Sequence, residues 1–132
     1  MTFHRRQFTA GLVTGLLAAF VLATAFTSGP AAAHHGWRWA EDGNFEITGI
    51  VMDAKMGNPH GIVTLKVEGH IWLIEVGQPW RNERAGLTDG MLKRGMEVTF
   101  SGARAKDHRE KRLKAERVII NGTVYNLYPD RD

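Results

Sequence analysis

The chain has no cysteine, so it can form no disulfide and carry out no thiol catalysis, whatever compartment it occupies. Serine is almost as scarce. Beyond residue 33 the single serine is Ser101, in alternating strand sequence without the glycine frame of a nucleophile elbow, so a serine triad has nothing to start from. No carboxylate stands at a recognisable ligand spacing from any histidine, and nothing selects a pair of acids for glycoside chemistry. Without a catalytic constellation the chain reads as a binding protein and not as an enzyme. It also lacks internal repeats, and it has no low-complexity segment outside its first residues.

What is present begins with an address. Arg5 and Arg6 give a positive start, residues 8–26 form an apolar run with small residues, and Ala31, Ala32 and Ala33 make a cleavage box, the order of a secretory signal peptide. Arg5, Arg6, Gln7 and Phe8 resemble a twin-arginine export signal, although Thr9 and Ala10 stand where that pattern has an aliphatic residue and a lysine. The competing reading is an uncleaved anchor, since the run approaches the roughly 20 residues that span a bilayer; Gly11, Gly15 and the alanine box favour cleavage. Residues 1–33 are therefore expected to engage the export machinery and to be removed. A periplasmic protein with no permanent membrane anchor would remain, comprising an arm over 34–43 and a domain over 44–132.

Removal of 33 of the 132 residues leaves about 99, enough for one small core. Two of the 17 basic residues leave and none of the 14 acids, so the net charge becomes 15 minus 14, or +1. That balance is no nucleic-acid signature for the whole domain, and the compartment argues against nucleic acid as a partner.

The arm is polar apart from Trp37 and Trp39 and shows no period. Alternation then predicts strands over 45–52, with a bulge at Gly49, and over 63–67 and 71–76, the last two joined by a turn at Glu68 and Gly69. Asn82 and Thr88 are candidate helix N-caps and Gly95 a helix-ending glycine, which predicts a short helical link. Alternation returns over 96–101, and Asn121-Gly122 joins a terminal hairpin over 118–120 and 124–128. Three strands, a helical link and further strands are the order of the OB fold, so the expected class is mainly β: a small five-stranded barrel preceded by a signal-peptide helix. A small β-sandwich or open meander is the alternative. Trp72 and Trp80 are expected to be buried.

His34-His35 after the alanine box, the Asn58-Pro59-His60 turn and the Leu92-Lys93-Arg94-Gly95-Met96-Glu97-Val98 strand entry resemble a family of uncharacterised exported bacterial proteins. The resemblance spans essentially the whole exported part and implies compartment and single-domain organisation, without an activity.

Two constellations could carry function. A cut after Ala33 exposes His34, whose α-amine and ring nitrogen chelate one metal, with His35 or His60 completing a set of nitrogens suited to copper(II). A cut after Ala32 places His35 third, which also makes a square-planar copper or nickel site. The second constellation is a basic loop. Seven basic residues between Arg104 and Arg117 face three acids, while the remainder beyond residue 33 carries 8 basic against 11 acidic residues. Beside the Asn58 loop, Arg109, Lys111 and Arg112 then form a face for an anionic ligand or an acidic envelope partner, with no metal involved. His70 and His108 are expected to be solvated.

Overall fold

The computed structural model describes residues 35–131. The expected leader, its expected cleavage point and His34 lie outside the described residues. A 3-10 turn at His35–Trp37 is followed by β1 (Phe45–Lys55), β2 (Ile62–Val67), β3 (His70–Glu75), helix α1 (Pro79–Arg84), β4 (Glu97–Arg104), β5 (Arg112–Ile120) and β6 (Thr123–Asn126).

The sheet runs β3-β2-β1-β4-β5-β6, and a parallel pairing of β3 with β5 closes it. The first five strands therefore form a closed barrel with OB connectivity, and β6 extends β5 as a short antiparallel edge. Inward alternation supplies the core: Val51 from β1, Val63 and Leu65 from β2, Ile74 from β3, Val98 and Phe100 from β4, and Leu113, Ala115 and Val118 from β5 are all buried. Leu87 and Leu92 from the link and Leu127 after β6 join the same cluster. Each buried aliphatic or aromatic side chain contributes about 1.5–3 kcal/mol, which in a chain without cross-links carries the fold.

Both hairpin turns are as the sequence predicts. Glu68 and Gly69 (φ 47° and 81°) and Asn121 and Gly122 (φ 49° and 79°) hold positive φ at both central positions, the twist that matches right-handed strands.

Five details differ from expectation. Gly49 is not a bulge: it sits in register opposite Val98, and the slip falls between Val51 and Asp53. The glycine serves close approach, since a Cβ there would lie 2.5 Å from the Lys66 carbonyl oxygen. The helix begins at Pro79, whose fixed φ and missing N–H suit a first turn, so Asn82 lies buried inside it and donates from Nδ2 to the Gly77 carbonyl at 2.8 Å. Gly86 (φ 87°), not Gly95, follows the helix's C-cap Ala85. Trp80 is 52% exposed, because α1 turns it away from the barrel, with Nε1 bonded to the Gln78 side chain. Finally, β5 begins at Arg112, so Arg112 and Lys114 belong to a strand and the connecting loop is confined to 105–111.

Candidate functional site

The strand assignment of Arg112 and Lys114 determines the site. Leu73 pairs with Arg112, Ile74 with Leu113 and Glu75 with Lys114 across the parallel seam. The alternation that sends Ile74 and Leu113 into the core sends Glu75, Arg112 and Lys114 to the outer face. Yet the Lys114 side chain is only 2% exposed and that of Glu75 only 8%.

Residues 37–40 cover them. The Trp39 ring centroid lies 3.7 Å from the Arg112 guanidinium carbon, and the Trp37 centroid lies 5.2 Å from Lys114 Nζ. Cation-π contacts of this kind gain strength when desolvated. The strap is pinned on both sides. Ala40 bridges Ala105, the Lys106 N–H donates to the Trp39 carbonyl at 2.9 Å and the Glu41 N–H to the Arg104 carbonyl at 2.8 Å. Trp37 also meets Tyr128 edge-on at 5.0 Å and Arg131 at 3.9 Å.

Beneath the strap, charge is paired unevenly. Lys114 Nζ donates to Glu75 Oε1 at 2.6 Å and an Arg112 terminal nitrogen donates to Oε2 at 2.9 Å. His60 Nδ1 lies 3.5 Å from Oε1. Burial pushes the Glu75 carboxyl up, but the hydrogen bond and charge of Lys114 and the hydrogen bond from Arg112 outweigh it and hold the group below the usual carboxylate range. Burial and the Lys114 charge push His60 down, against the pull of Glu75, so the imidazole is neutral at pH 7. One carboxylate thus faces two full positive charges, and the excess is +1.

Glu75, Arg112 and His60 form one wall of an open cleft of about 710 Å³, whose other walls are Lys55, Met56, Asn58, Pro59 and Ile62. That size falls in the range of small-molecule sites. The Asn58–Pro59 bond is cis and the turn carries His60 to the cleft beside Glu75.

The fold therefore brings together Asn58, His60 and Arg112 from the predicted residues. It does not bring Arg109 or Lys111 to the same place. The Arg109 side chain is 91% exposed and paired with Asp107 at 2.7 Å. The Lys111 Nζ lies 5.6 Å from the Trp72 ring centroid. His35 contributes backbone to the 3-10 turn, and the Cβ that Gly36 lacks would lie 3.6 Å from Lys114 Nζ. Among the described residues no group of three or more histidines and acids could hold a metal. Glu75 and Lys114 were not singled out by sequence reasoning. Only Glu75 carries a local signal, a charge within the apolar run 71–76; Lys114 lies among the charges of Arg112, Glu116 and Arg117 and does not stand out.

Comparison with known proteins adds a family and no activity. No curated protein matches the chain. The crystal structure of the ZRD-deleted mutant of TiaS in complex with agmatine is similar in part, with a TM-score of 0.47 at 14% identity over 66% of this chain and 27% of that one. This chain thus spans only about a quarter of that protein. A family model matches residues 22–116, which include the strap, the cleft and the seam, and the chain belongs to that family, the family of unknown function DUF6152.

Proposed function

We propose that the chain is an exported single-domain binding module that takes an anionic ligand in the cleft between the Asn58 turn and Arg112. The observation behind this reading is the unequal pairing at the seam: Lys114 and Arg112 share one carboxylate, so a ligand anion would neutralise a positive charge that the protein leaves over. Arg112 is suited to receive it. Its guanidinium is held by Trp39 and Glu75, its side chain is 38% exposed, and it lines the cleft. A pre-positioned planar fork loses little entropy when it binds a carboxylate or phosphate. Calorimetric titration of the protein with acetate and inorganic phosphate tests the proposal. Binding is expected to weaken about tenfold or more in Arg112→Gln, in line with the loss of a charge-assisted hydrogen bond; equal binding by both proteins removes the reading.

A second reading is copper held by His34, His35 and His60. It is favoured by a neutral His60 imidazole with one nitrogen turned to a carboxylate, the arrangement that orients histidine ligands in metal sites. Copper(II) titration followed by tryptophan emission distinguishes it, with His34→Ala and His60→Ala each expected to weaken binding. Identical titrations for all three proteins would exclude it. The intact mass of protein recovered from its native host supplies both the terminus and any retained metal.

A further inference from the structure

Arg112, Glu75 and His60 line the cleft at the seam, and Met56, Pro59 and Ile62 supply apolar lining beside the polar Asn58 and Lys55. A row of paired residues runs across the strands outward from the seam: Lys114 beside Glu75, Glu75 beside Ile62, Ile62 beside Lys55. Ile62 is 39% exposed and Leu73, next along the same face of β3 from Glu75, is 48% exposed. Ile62 and Leu73 thus leave apolar surface open to water close to the surplus positive charge.

We infer that the ligand is an amphipathic acid, with its carboxylate at Arg112 and an apolar body lying across Ile62 toward Met56 and Pro59. The inference rests on the anion-binding reading and specifies the substrate class of that site. From β5 to β2 is two strand spacings, roughly 10 Å, the reach of a medium-length acyl chain or of an aromatic ring on a short linker. The methylene stem of Lys55 continues the apolar wall while its ammonium stays in water. Acetate would use only the charged end, whereas octanoate would use both.

Calorimetry of the protein with acetate, octanoate and octylamine separates the alternatives. Complete burial of a methylene is worth about fourfold in affinity, and burial in an open cleft about half of that in free-energy terms, so octanoate is expected to bind on the order of 50-fold more tightly than acetate. Octylamine, with a tail one carbon longer and the opposite charge, is expected not to bind. Ile62→Ser alters an outward side chain outside the core and should reduce the preference for octanoate over acetate severalfold. Phenylpropionate run beside octanoate distinguishes an aromatic acid from an acyl chain as the source, and tighter binding by either supports the inference. Acetate binding as tightly as octanoate overturns the inference but leaves anion binding standing. Octylamine matching octanoate, or no binding by any acid, overturns both.

Discussion

Glu75→Gln is the change that most directly probes the buried charges at the seam. Glutamine keeps the size of the side chain and removes its charge, which leaves Lys114, 2% exposed, facing a neutral amide and the Trp37 ring. Removing one partner of a buried ion pair costs about 3–5 kcal/mol, because the remaining charge cannot regain its water. Arg112 adds less, under about 1 kcal/mol, since its side chain is 38% exposed and keeps its contact with Trp39. A small domain has only about 5–15 kcal/mol of stability to lose. With a urea m-value of about 1–3 kcal/mol/M, the unfolding midpoint should fall by roughly 2 M with little change in slope. Tryptophan emission is a suitable readout because Trp37, Trp39 and Trp72 all lie on or in the barrel. The companion variant is Glu75→Leu combined with Lys114→Met, which removes the charges together and should recover most of the loss. A midpoint within about 0.5 M of wild type for Glu75→Gln, or a double variant no more stable than the single one, would refute the claim that desolvated charge governs this seam.

Stability should also decline steadily on acidification. The folded pKa of His60 is lowered, so its contribution is complete above the ordinary histidine value of about 6.5 and is lost as pH falls through the folded value. Glu75 is held low as well and adds a second loss that begins near the ordinary glutamate value of about 4.3. Thermal midpoints from pH 8 to 3 test this, and Glu75→Gln should reduce the lower phase, leaving the part due to Asp107, whose hydrogen bonds with Arg109 also hold it below the usual carboxylate range. Gly102→Ala should cost roughly 3 kcal/mol in urea unfolding, because the new Cβ would lie 2.1 Å from the Lys114 carbonyl oxygen, a backbone atom fixed in the β4–β5 ladder. Trp37→Ala should cost about 2 kcal/mol by uncovering Lys114 and releasing Tyr128 and Arg131. His108→Ala, which breaks an exposed pair with Glu41, should cost under about 1 kcal/mol in the same assay.

The barrel was legible in the sequence because its strands alternate cleanly and its two tight turns carry Gly after Glu68 and after Asn121, where positive φ is needed. The start of β5 was not. Arg112, Lys114 and Glu116 give that segment the polarity of a loop, and they sit in a strand only because the strap and the residues after β6 cover an outer face that ordinarily meets water. The same cover explains the site. Asn58, His60 and Arg112 could be named from turn chemistry and charge density, but Glu75 and Lys114 become partners through a pairing of strands 39 residues apart, which no local pattern encodes. Gly49 was misread for a related reason: a glycine within a strand signals either a slip in register or a near neighbour, and only the position of β2 decides between them.

The β3–β5 seam has a further consequence for how the ring is assembled. It is held by three paired residues, and the ring cannot close until β5 has emerged, since β1, β2, β3 and β4 can pair with one another before β5 exists. Until Arg112 and the residues after it arrive, β3 and β4 present open edges, the arrangement most prone to joining a neighbouring chain. Docking of β5 covers both edges and, in the same movement, brings Lys114 to Glu75. A shortened chain ending before Arg112 should therefore self-associate, even though four of its strands and both ends of the helical link are intact.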